Sequence, residues 1–195
     1  WALITGAGRQ RVGFHVARAL GKKGYSLALH YRTSATEARE SAGILSQEGF
    51  ETRTFQADLA VESQVGRLVE QLHSECGRLD ALVSCASTWH AVELEKTTAA
   101  DYTGFFESNV LATVLIAQKA GLWMTRQPEG GCIVTVGDWA VTRPYLNYLA
   151  YHTSKGAIPV FTKALAVELA HLNPRVRVNC VEPGPVMLPA ELSPQ

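Results

Sequence analysis

Short apolar runs alternate with segments of helical periodicity along the whole chain. Residues 1–4, 25–31, 51–56, 81–83, 132–136 and 175–181 have the length and apolar character of strands buried on both faces of a parallel sheet. Residues 12–23 place Val12, Val16, Ala19 and Leu20 on one face and stop at Gly24, which predicts a helix. Further helices are predicted over 34–48, Glu62–Cys76, 101–126 and 147–171, the first opened by Ser34 and Glu37 at capping-box spacing. Strand and helix in strict alternation predict an α/β fold: a Rossmann-like, doubly wound parallel sheet with helices on both faces. No repeat, linker or low-complexity stretch interrupts the pattern, so 1–195 reads as a single domain. A further helix and strand would close such a sheet, so a C-terminal piece reads as absent. The start at Trp1 suggests that a few N-terminal residues are missing as well.

Charge narrows the partners. Lys and Arg together number 18 and Asp and Glu number 18, so no excess of either sign points to nucleic acid or a membrane surface. No apolar run reaches the roughly 18 residues that span a bilayer. Cys76, Cys85, Cys132 and Cys180 show no paired spacing, and three of them sit in strand-like runs. They read as buried free thiols in a reducing cytoplasm, and no His/Cys cluster has the spacing of a metal site.

In a doubly wound sheet, ligands bind beyond the carboxyl ends of the strands. The chemically interesting residues all fall there: 5–13, Arg32, Asp58, 84–89, Asp138 and 182–184. After the first strand, Gly6 and Gly8 permit a tight turn near a pyrophosphate, and Gly13 permits close packing of helix on strand. The helix starting at Val12 then offers free N–H groups to the anion, which reads as an NAD(P)-binding turn. An acid that would bind a ribose 2′-hydroxyl is missing from Tyr31-Arg32-Thr33-Ser34. Arg32 and Ser34, with Arg11 nearby, suit a 2′-phosphate, so NADP(H) is expected rather than NAD(H). Asp58, followed by Leu59, reads either as an adenine contact or as the N-cap of the helix near Glu62.

Tyr151-x-x-x-Lys155 puts a phenol and an ammonium on one helix face. A lysine so placed depresses a tyrosine pKa and lets the phenol exchange protons near neutral pH. Asp138 stands just upstream, after the fifth strand. Tyr145 and Tyr148 are competing phenols without a lysine four residues on, and read as packing or substrate-loop residues.

Taken in order, residues 5–13, Asp58-Leu59, Asp80, Ala86, Asn109, Tyr151-x-x-x-Lys155 and Pro183-Gly184 resemble the short-chain dehydrogenase/reductase family over essentially the whole chain. The resemblance implies a tyrosine acid/base at Tyr151 and a lysine, Lys155, that tunes it and binds the nicotinamide ribose. It also implies a proton relay through water at Asn109, cofactor contacts at Ala86, Pro183 and Gly184, and pairing of the long helices into homodimers or homotetramers.

Two positions depart from the family pattern. Asp138 stands where the family has serine, and Ser84-Cys85-Ala86-Ser87 replaces Asn-Asn-Ala-Gly. A carboxylate is a poor oxyanion donor but suits a substrate with N–H groups or a nitrogen to be protonated. The acid and the Ala-Ser ending resemble the pteridine reductase and dihydromonapterin reductase branch, as does His30-Tyr31-x-x-Ser34. That branch carries an arginine in the glycine turn, a role falling to Arg11 or Arg9 in this longer turn. It also has an aromatic at the position of Trp89 that stacks the pterin, against which ordinary core packing of Trp89 is the other reading. The implied reaction is hydride transfer from NADPH to a C=N carbon of a dihydropterin-like substrate, with Asp138 and Tyr151 supplying the proton. A 3-oxoacyl, ketone or sugar reductase is the alternative, and a non-catalytic NADP-binding sensor or scaffold is the alternative of another class.

Overall fold

A computed structural model describes residues 1–187. Six parallel strands form one sheet in the order β3-β2-β1-β4-β5-β6. They are β1 Ala2–Thr5, β2 Leu27–Tyr31, β3 Thr52–Gln56, β4 Ala81–Ser84, β5 Gly131–Val136 and β6 Val176–Val181. The helices are α1 Val12–Gly21, α2 Ala35–Gln47, α3 Glu62–Cys76, α4 Ala99–Phe105, α5 Ala112–Met124 and α6 Leu149–Leu172. Among the described residues no helix is long and apolar enough to cross a membrane.

Alternation along each strand builds two cores. Ala2, Ile4, Leu27 and Leu29 face Phe14 and Ala17 of α1 and Leu45 of α2. Leu3, Leu82, Ile133 and Val178 face the opposite way, against Leu68 of α3, Ile116 of α5 and Leu165 of α6. Both faces of the sheet are therefore covered, which is why its strands read as apolar runs rather than alternating ones. The expected doubly wound parallel sheet is the fold observed.

The helix expected over 101–126 is three pieces. α4 begins earlier, where Thr98 and Asp101 form a capping box. Residues Phe106–Leu111 then widen into a π-helical segment before α5 resumes the α geometry. A π segment inserts one residue per turn and commonly marks a functional position; this one carries Asn109. The capping box expected at Ser34 and Glu37 does not form: Ser34 makes no side-chain cap bond, and the Glu37 carboxylate pairs with Arg9 at 3.2 Å instead. Asp58 is not a helix N-cap either. Val61 holds that position, while Asp58 closes the preceding turn by accepting the Ala60 N–H at 3.0 Å. The four cysteines are free but only partly buried.

Candidate active site

The β1–α1 turn is held against both neighbouring strand ends. Gly6 has φ +65°, and a Cβ there would lie 2.8 Å from the Ala86 Cα. A Cβ at Gly8 would lie 2.6 Å from the Ser34 Oγ and 2.8 Å from the Tyr31 Cβ. Only glycine meets both demands, so the turn lies flat on the ends of β4 and β2. His30 fixes it from below. Its Nδ1 accepts the Gly6 N–H at 3.3 Å, and Nε2 donates to the Ala57 carbonyl at 3.0 Å. Burial pushes this imidazole down to about 4, so it stays neutral and serves as a two-way connector.

Above the turn is a cavity of about 650 Å³. Gly6, Gly8, Arg11, Val12 and Gly13 line it from the β1–α1 turn. Tyr31, Arg32, Thr33 and Ser34 line it from the end of β2, Asp58 and Leu59 from β3, and Ala86 and Trp89 from β4. The residues fit a phosphorylated dinucleotide on three counts. The α1 N-terminus has no side-chain cap, leaving its first-turn N–H groups for an anion. Arg11 and Arg32 face the cavity and enter no salt bridge among the described residues, whereas Arg9 is engaged by Glu37. Finally, glycines occupy the points where backbone must approach the ligand closely.

Asp138, Tyr151, Lys155 and Asn109 form a second group, which does not line that cavity. Asp138 follows β5; its Oδ1 accepts the Ala140 N–H at 2.8 Å, and Oδ2 accepts the phenolic proton of Tyr151. The Tyr151 ring is buried on α6, edge-on to Phe105 and to Tyr148. Burial first, then the Asp138 hydrogen bond and charge, lift this phenol above the ordinary tyrosine range. Lys155 makes its hydrogen bond to backbone rather than to the phenol. Its Nζ donates to the Val136 carbonyl at 2.9 Å, one strand residue from the Gly137-Asp138 corner. The expected depression of the Tyr151 pKa is not what the site produces: burial first, then the Asp138 hydrogen bond and charge, raise it.

Asn109 is fully engaged by protein groups. Its Oδ1 accepts from the Thr88 N–H at 2.8 Å and the Ser87 hydroxyl at 3.0 Å. Its Nδ2 donates to the Thr88 carbonyl and to the Ser154 Oγ, both at 3.1 Å. Both amide hydrogens and both oxygen lone pairs are used, so the side chain has no free polar group for a relay water. The Pro183 carbonyl accepts the Trp139 backbone N–H at 3.2 Å and Gly184 packs near the Trp139 indole, which places both beside the Asp138 corner and outside the cavity. Trp89 is 47% exposed, so core packing does not describe it. It stacks on Tyr148 at 5.0 Å and donates its Nε1–H to the Tyr145 hydroxyl at 3.1 Å.

Residues 1–192 match the family described as short chain dehydrogenase. The chain belongs to that family. Hydroxynaphthalene reductase-like protein Arp2 of Metarhizium brunneum is 33% identical over 186 residues, which are 95% of this chain and 67% of that protein. Glucose and ribitol dehydrogenase homolog 2 of Arabidopsis thaliana is 31% identical, over 96% of this chain and 65% of its own length. Among solved structures, acetoin dehydrogenase from Enterobacter cloacae superposes with a TM-score of 0.87 at 26% identity, covering 97% of this chain and 74% of that one. The short-chain dehydrogenase fold and oxidoreductase class are thus shared with proteins whose names point to different substrates. The roles of two residues of this short-chain dehydrogenase escaped the sequence reading, His30 having entered it only within the His30-Tyr31-x-x-Ser34 resemblance. His30 carried a signal, an ionisable group inside an apolar strand; Ser154 carried only its place beside Lys155.

Proposed function

We propose that this chain is an NADPH-dependent reductase acting on a C=N bond of a dihydropterin-like substrate. The observation that carries the reading is the Tyr151 phenol donating to a carboxylate, Asp138, where the family has serine. The bound cofactor supplies the hydride. Tyr151 gives its proton to the ring nitrogen, and Asp138 accepts N–H groups of the substrate and orients it. A tyrosinate beside an ionised carboxylate is unfavourable, so Asp138, partly open to solvent, takes up the replacing proton. Arg11, Arg32 and Ser34 hold the 2′-phosphate, Asp58 the adenosine end, and Pro183 and Gly184 the nicotinamide end. Trp89 covers the flat substrate ring. Exposed Val160 and Val167 on α6 support pairing with a second copy, and the free cysteines support a cytoplasmic location.

The test is oxidation of NADPH by the full chain with dihydrobiopterin or dihydromonapterin, against Asp138→Ser. Pterin turnover is expected to fall at least about tenfold in the variant, the scale of one lost oriented acid or base. No pterin turnover in the parent, with ketone reduction that persists in Asp138→Ser, would sink the reading. The second reading, a carbonyl reductase, would then stand, and the names of the hydroxynaphthalene and acetoin relatives favour it.

Lys155 adds a pH limb. Burial, only partly opposed by the Asp138 charge, pushes its ammonium down to about 8. It is charged below that value and neutral above it. The free enzyme's kcat/KM is therefore expected to be flat through neutral pH and to fall as pH rises past about 8. The same profile in Lys155→Arg, whose side chain stays charged, should lack that fall. An unchanged alkaline limb in the arginine variant would show that another group titrates there.

A further inference from the structure

Tyr151 is tied to the loop that lines the nucleotide cavity by one continuous set of hydrogen bonds, and Ser154 is its last member. Ser87 and Thr88 line the cavity. Both bond to the Asn109 amide, which donates in turn to the Ser154 Oγ at 3.1 Å. The Ser154 hydroxyl then donates to the Tyr151 carbonyl at 2.7 Å. Ser154 is buried, and it is the Nδ2 partner that ties Asn109 to α6. A serine bonded only to a carbonyl three residues back is commonplace in helices. Here the same oxygen also accepts from another element, so it sets α6 in register with the π-helical segment and the β4 loop.

We propose that Ser154 is a positioning residue that sets the Tyr151 phenol relative to the cavity loop by joining Asn109 to the first turn of α6. The inference rests on the assignment of Tyr151 as proton donor, and it holds for a C=N or a C=O substrate alike. Loss of the hydroxyl leaves the Asn109 Nδ2 and the Tyr151 carbonyl without this partner and frees the helix turn that carries the phenol. Misplacement of a reacting group by about 1 Å costs on the order of 10²-fold in rate, so a smaller shift is expected to cost about tenfold.

The test compares Ser154→Ala with Ser154→Thr, which keeps the hydroxyl. Ser154 borders a groove shared with Phe106 and Ala150, the nearest open space for the extra methyl. Turnover with whichever substrate the parent reduces should fall about tenfold in Ser154→Ala, with NADPH affinity unchanged, a larger solvent deuterium effect, and recovery in Ser154→Thr. A readout without turnover uses tyrosine labelled at Cζ with carbon-13 in the ligand-free protein, the Tyr151 line being assigned by its loss in Tyr151→Phe. Parent and Ser154→Thr should keep the neutral-phenol shift into alkaline pH, while Ser154→Ala should begin to titrate lower as the Asp138 contact loosens. A Ser154→Ala protein that melts earlier yet keeps both its turnover and its Tyr151 titration overturns the proposal. Were the parent to reduce no substrate at all, the functional reading would fail, and the carbon-13 titration would still decide this one.

Discussion

Replacing Tyr151 by phenylalanine is expected to lower kcat by about 10³-fold, within the range that a positioned acid contributes. The ring stays packed, since its edge contacts with Phe105 and Tyr148 need no hydroxyl. NADPH affinity should therefore change by no more than about twofold, and the loss should lie in kcat rather than KM, the signature of an interaction made in the transition state. A direction is implied as well. With its proton held by Asp138 and its pKa lifted, the phenol is a donor at neutral pH and becomes a base only well into the alkaline range. Oxidation of the reduced product by NADP⁺ should accordingly lag behind reduction until high pH. Stopped-flow measurement of both directions checks this, and a Tyr151→Phe enzyme retaining even a tenth of parental kcat would remove the phenol from the mechanism.

The second large effect is expected in the nucleotide cavity, which Tyr151 does not line. Arg11→Ala combined with Arg32→Ala should raise the KM for NADPH by about 10²-fold while leaving that for NADH nearly unchanged. On the proposed reading each guanidinium would make charge-assisted contacts to a phosphate that only NADPH carries, at about tenfold apiece. Both are free to do so: neither is held by a carboxylate among the described residues, and both face the cavity beside Ser34. Arg9→Ala is the internal control, because its partner Glu37 already occupies it and the pair is exposed. Equal losses for both cofactors would show that the arginines bind the shared pyrophosphate instead.

The sheet was legible because burial on both faces leaves a continuous apolar signature, as in Ala2-Leu3-Ile4 and Leu27-Ala28-Leu29. The gathering of the site at one edge followed from topology alone, since every parallel strand points its carboxyl end the same way. What escaped depends on partners remote in sequence. The direction of Lys155 is decided by the Val136 carbonyl, and the saturation of Asn109 by Thr88 and Ser154, neither visible in a spacing rule. The π-helical segment is hidden because its residues are ordinary helix formers on either side of one amide that must reach inward. Glu37 had the right offset for a capping box, but Arg9, on another element, competed for it.

The order of the strands divides labour along the chain. All the groups proposed to recognise the phosphorylated ribose lie in the half of the chain that builds β1 to β3, and all those proposed to move a proton lie in the half that builds β4 to β6. The halves meet where β1 lies beside β4, with Gly6 against Ala86 and the Ala86 N–H donating to the Thr5 hydroxyl at 3.0 Å. The molecule is in this sense two modules spliced along a single seam. Cofactor preference can drift in the first without disturbing proton chemistry in the second, whereas any bulk added at the splice is felt by both at once.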